Sequence, residues 1–100
     1  MTPLEQFDDA KKASNGALLL FKIGYFYEAF REDAKIVSSV LGLSVTIGVK
    51  KGAESTPMAG FPAHHLDAYL MKLVKSGHRV GVCEQVDDAC EIVQVVECHD

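Results

Sequence analysis

The residues best suited to chemistry lie between positions 17 and 34, Ala-Leu-Leu-Leu-Phe-Lys-Ile-Gly-Tyr-Phe-Tyr-Glu-Ala-Phe-Arg-Glu-Asp-Ala. An apolar run ends at Gly24, three aromatics follow (Tyr25, Phe26, Tyr27), and Glu28 stands directly behind them. Side chains alternate faces along a strand, so Phe26 and Glu28 share one face. The pair sets a flat apolar ring beside a hydrogen-bond acceptor. That combination suits a protein that slips a ring between stacked bases and tests what it meets. The same spacing also suits a strand whose aromatics fill a core, and Phe-x-Glu by itself leaves both readings open.

Other groups offer less. His64-His65-x-Asp67 resembles a catalytic or metal pair only in composition. Adjacent helical residues point about 100° apart, so one imidazole is expected to pack and the other to face water. Glu28, Glu32 and Asp33 suggest an acidic nuclease cluster, but no matching lysine or second carboxylate motif accompanies them. Neither G-x-x-x-x-G-K-[ST] nor G-x-G-x-x-G is present, and no Ser sits in a G-x-S-x-G elbow. Cys83, Cys90 and Cys98 are spaced by seven and eight residues with no C-x-x-C pair, which points to neither zinc nor redox chemistry. Cys83, between Val82 and Glu84 in an apolar stretch, is expected to be a small buried hydrophobe. The expectation is a binding domain without catalytic residues, metal or cofactor.

The elements that would position Phe26 and Glu28 follow from local pattern. Thr2, Pro3 and Glu5 form a helix start with a capping box, Leu4, Phe7 and Ala10 follow helical spacing, and Asn15-Gly16 ends the helix. Residues 17 to 23 form a near-continuous apolar run, as a central strand requires. Gly24-Tyr25 predicts a tight turn, with residues 26 to 30 returning as a second strand. Phe30, Ala34, Val37 and Leu41 make a helical stripe closed by Gly42. Residues 43 to 48 read as a strand, 50 to 56 as a loop and 58 to 61 as a short strand broken by Pro62. Leu66, Tyr69, Leu70, Leu73 and Val74 define one face of a helix that stops at Ser76-Gly77. Residues 79 to 85 and 92 to 96 are the last strands, joined through 86 to 91. Strands alternating with amphipathic helices predict an α/β fold, a mixed β-sheet flanked by about three helices. Leu18, Leu20, Val37, Leu41, Leu70, Leu73, Val82 and Val95 are the expected core, and Phe26 is expected to stay exposed.

With 100 residues, 48% hydrophobic and 24% charged, the chain fits one globular domain over 1–100. Its longest apolar run is far short of a membrane span, and its start lacks the pattern of a secretion signal, so no membrane contact and a cytoplasmic location are expected. Charge is uneven. Residues 1 to 79 carry ten Lys and Arg against eight acids, a balance of +2. Residues 80 to 100 carry six acids and no Lys or Arg, a balance of −6, which opposes autonomous DNA binding by that segment.

Three ordered motifs resemble the first domain of the MutS family of DNA mismatch-recognition proteins. The stretch Gly24-Tyr25-Phe26-Tyr27-Glu28-Ala29-Phe30 with Asp33-Ala34 is similar to the family's Gly-Asp-Phe-Tyr-Glu-x-Phe and Asp-Ala. Pro57-Met58-Ala59-Gly60-Phe61-Pro62-x-His64 resembles its Pro-Met-Ala-Gly-(Ile/Phe)-Pro-x-His, and Gly81-Val82-Cys83-Glu84-Gln85 resembles its (Ala/Gly)-(Ile/Val)-Cys-Glu-Gln strand. The resemblance covers residues 2 to 97. It implies that Phe26 stacks on a mispaired base from the minor groove and that Glu28 hydrogen-bonds that base. The partners it implies are mismatched double-stranded DNA, bound weakly by this domain alone, and the remaining domains of a MutS-like protein or a partner chain. The ATP-binding part of full-length family members is not in these 100 residues. Tyr25 stands where the family has Asp, and Thr46 is followed by Ile47-Gly48 rather than a basic pair. Lys50 and Lys51 are therefore the candidate phosphate contacts. An interaction module that kept this fold without DNA binding is the alternative, favoured by the acidic C-terminal segment.

Overall fold

The computed structural model describes residues 2–48 and 55–98. Helix α1 (Pro3–Ala13) starts on Thr2, whose hydroxyl accepts from the Glu5 amide while the Glu5 carboxylate accepts from the Thr2 amide. Those bonds to Thr2 hold the Glu5 carboxyl below its usual range. The chain then runs through β1 (Leu18–Ile23), β2 (Phe26–Phe30), α2 (Arg31–Leu41), β3 (Thr46–Gly48) and β4 (Thr56–Pro62). A one-turn 3₁₀ segment (Ala63–His65) leads into α3 (Leu66–Lys75), followed by β5 (Val80–Val86) and β6 (Ala89–Val96). The strands form one six-stranded sheet in the order β3-β4-β2-β1-β5-β6, parallel only between β1 and β5.

Both faces of the sheet are covered at its centre, which explains the unbroken apolar run Leu18 to Phe21 in β1. Leu18 and Leu20 join Tyr27, Ala29, Val37, Phe61, Leu73 and Val82 beneath α2 and α3. Leu19 and Phe21 join Phe7, Phe30 and Cys83 beneath α1. The Phe7 and Phe30 rings meet edge to face with centroids 5.1 Å apart. At the junction of α1, β1 and α2, the buried Asp33 carboxylate accepts from Lys11 Nζ at 3.0 and 2.9 Å and from the Leu19 amide at 3.1 Å.

Several boundaries differ from expectation. The strand expected over 43 to 48 forms only from Thr46, because the Leu43 amide donates to the Ser38 carbonyl in the helix-closing turn. Thr56 belongs to β4, not to a loop, and β4 continues to Pro62, whose missing N–H costs nothing at a strand end. The β5–β6 connection is only Asp87-Asp88, both at positive φ (49° and 62°), the type I′ pattern that matches strand twist. Val95 is not core: it is 53% exposed. β6 is an edge strand, and a register shift opposite Val82/Cys83 leaves both Val93 and Val95 facing out. Leu41 is only partly buried at the rim of the α2/α3 cluster.

Candidate nucleic-acid interface

Phe26 and Glu28 reach the surface because alternation in β2 is combined with incomplete cover by α1. Tyr27 and Ala29 point into the α2/α3 core, which leaves Phe26, Glu28 and Phe30 on the opposite face. α1 buries Phe30 but not the hairpin end, so Phe26 remains 50% exposed and Glu28 half-buried. A core role for the Phe26 ring is thereby excluded.

The strand holding them is braced on both sides. β1 and β2 are joined by Gly24-Tyr25, with Ile23 paired to Phe26. Gly24 has φ 62° and Tyr25 is not in the left-handed region, the pattern of a type II′ hairpin, in which glycine is needed only at the first central position. Tyr25 in place of Asp therefore costs the turn nothing. The Tyr25 carbonyl accepts from the Ala63 amide at 2.7 Å, tying the tip to the segment after β4. Across the sheet, Phe26 stands between Ile23 and Pro62, and Glu28 between Phe21 and Gly60.

Gly60 is a positioning residue that motif reading alone did not single out. A Cβ there would lie 2.9 Å from the Tyr27 carbonyl oxygen and 3.3 Å from Glu28 Cγ. The glycine lets β4 approach while leaving room for the Glu28 stem. Among the described residues, no hydrogen bond or ion pair engages the Glu28 carboxylate. It is a half-buried acceptor without a partner of its own, next to an exposed ring on the same face.

The other candidates do not join this site. Lys50 and Lys51 lie outside the described residues. Asp33 is used structurally by Lys11 and Glu32 pairs with Lys35 at 3.0 Å, so no acidic nuclease cluster forms with Glu28. His64 and His65 are both exposed, where one was expected to pack; their ring centroids are 4.1 Å apart, and the His65 ring also lies 5.5 Å from that of Tyr69. Cys83 is buried, and its thiol is pushed up by its hydrogen bond with Cys90 and then by burial. Among the described residues no three His, Cys, Asp or Glu side chains are placed to hold a metal, and no helix is long and apolar enough to cross a membrane.

Four acids of the C-terminal segment, Glu84, Asp87, Asp88 and Glu91, occupy the β5–β6 hairpin. Glu84 lies directly across from Glu91, and the Asp87-Asp88 turn closes the hairpin. Lys22 aligns with Glu84 in the parallel β1–β5 pair, so this acidic turn projects from the same end of the sheet as Gly24-Tyr25.

The model of MutS domain I matches residues 2–98. The chain is 51% identical over 89 residues to the DNA mismatch repair protein MutS of Rhodopirellula baltica, covering 88% of this chain and 10% of that protein. It is 45% identical over 98 residues to the DNA mismatch repair protein MutS of Thermosipho melanesiensis, covering 97% of this chain and 11% of that protein. The chain thus spans about a tenth of the length of the curated relatives it matches. With its motifs, its mixed sheet and the match over nearly every residue in agreement, the chain belongs to the MutS domain I family.

Proposed function

We propose that this chain recognises mispaired or otherwise deformable steps in double-stranded DNA, within a MutS-like protein of cytoplasmic mismatch repair. Phe26 enters from the minor groove and stacks on the mispaired base, and Glu28 accepts a hydrogen bond from that base. The single observation that carries this reading is the half-exposed Phe26 ring on a braced strand, with the unpartnered Glu28 carboxylate on the same face.

The energetics fit that assignment. A mismatched step costs less to unstack and kink than a paired one, so a wedge selects deformable sites without reading sequence. A carboxylate near phosphates is repelled unless a base edge satisfies it, which disfavours normal duplex. Lys50 and Lys51 are assigned to the DNA backbone as charge partners. The remaining domains of the MutS-like protein, or a partner chain, supply most of the grip.

A second reading, an interaction module that has lost DNA binding, is favoured by one feature: the acidic β5–β6 hairpin at the wedge end of the sheet. A titration of labelled homoduplex and single-mismatch duplex across a salt series separates the two. DNA recognition predicts weak binding that falls steeply with salt and favours the mismatch. Equal binding of both duplexes, or none at low salt, supports the interaction module.

A further inference from the structure

Tyr25 is the most exposed large hydrophobic residue among those described, at 88%, and it stands at the apex of the hairpin immediately before Phe26. Its backbone is not free to move away. Gly24 sets the turn, Ile23 and Phe26 pair beneath it, and its carbonyl is held by the Ala63 amide at 2.7 Å. No ring contact or hydrogen bond engages its side chain among the described residues. A rigid tip therefore presents an unpartnered phenol one residue from the proposed wedge.

We infer that Tyr25 is a second DNA contact, whose hydroxyl donates to a backbone phosphate beside the step that Phe26 enters. The inference rests on the reading of Phe26 as the wedge. The minor groove is about 6 Å wide, so one inserted ring fills it and the neighbouring side chain meets the groove wall of sugars and phosphates. A tyrosine suits that wall: its ring packs on the sugar and its hydroxyl reaches a phosphate oxygen. The bond is between a neutral donor and a charged acceptor, stronger than a neutral pair. It also brings a donor without charge to a sheet end that already carries Asp87 and Asp88. Tyr25 therefore contributes affinity on any duplex, and Phe26 contributes discrimination.

The test uses the chain itself with Tyr25→Phe and Phe26→Ala variants. Each is titrated at low salt into a homoduplex and the same duplex with one mismatch, following amide shifts by NMR. Tyr25→Phe is expected to weaken both duplexes by about the same factor, roughly tenfold or more, as loss of one hydrogen bond to a charged acceptor implies. The mismatch-to-homoduplex ratio stays unchanged, and so does the salt slope, because no counterion-displacing charge is removed. Wild-type affinity of Tyr25→Phe for both duplexes overturns the inference. So does a loss confined to the mismatch, which would make Tyr25 a base reader. Phe26→Ala tests the underlying reading separately: loss of the ratio with the Tyr25→Phe effect preserved supports both. An intact ratio in Phe26→Ala removes the wedge, and with it the placement of Tyr25 beside it.

Discussion

Glu28 on β2 lies directly opposite Gly60 on β4, and a methyl group on Gly60 would stand 3.3 Å from Glu28 Cγ. The same methyl would press on the Tyr27 carbonyl oxygen at 2.9 Å, which belongs to the strand backbone and cannot swing aside. Gly60→Ala must therefore part β2 from β4 at this rung or displace the Glu28 stem. We predict a loss of about 1–3 kcal/mol by denaturant unfolding, typical of overpacking. A wild-type unfolding midpoint for Gly60→Ala would show that the rung tolerates a side chain.

Asp33 should prove structural rather than functional. Its carboxylate is buried and binds Lys11 and the Leu19 amide, linking α1, β1 and α2. Asp33→Ala leaves the Lys11 ammonium and that amide without their acceptor, at a cost of about 3 kcal/mol. Thermal unfolding checks this. A variant as stable as the parent chain would contradict the assignment.

The acidic turn should act as an electrostatic brake. Asp87→Asn with Asp88→Asn keeps residues that tolerate positive φ while removing two charges from the wedge end of the sheet. Homoduplex affinity at low salt is expected to rise by about three- to tenfold, and the gain should fade as salt screens the charges. An unchanged affinity at low salt would place this hairpin away from the DNA.

Glu28→Ala separates discrimination from affinity. It removes a base contact and also a repulsion from phosphates, so homoduplex binding should hold or rise while preference for the mismatch falls. Paired titrations of the two duplexes read both quantities. A parallel loss on both duplexes would mean that Glu28 holds the strand rather than a base.

Much of this arrangement was legible because local signals agreed with one another. The capping box at Thr2, the Gly42 stop and the stripe through Leu70 and Leu73 each named an element that the structure contains. The exposure of Phe26 followed from strand alternation and the turn at Gly24. What escaped depended on neighbours distant in sequence. Val95 reads as core because alternation is a property of one strand, while its exposure comes from the edge position and register shift of β6. Gly60 falls in an expected short strand, but its role stays hidden until β4 is placed against Glu28. Tyr25 stands where the family has Asp, and only the dihedrals show that the turn needs positive φ at Gly24 alone.

The central claim is that the Phe26 ring confers discrimination without holding the fold. Its most direct test is Phe26→Ala in a MutS body carrying this domain in place of its own, with mismatch and homoduplex affinities measured beside thermal stability. The predicted result is a mismatch preference that disappears, from loss of stacking worth about 1–3 kcal/mol, with stability changed by about 1 kcal/mol at most. Retained preference in a folded variant, or unfolding of the domain, would contradict the account.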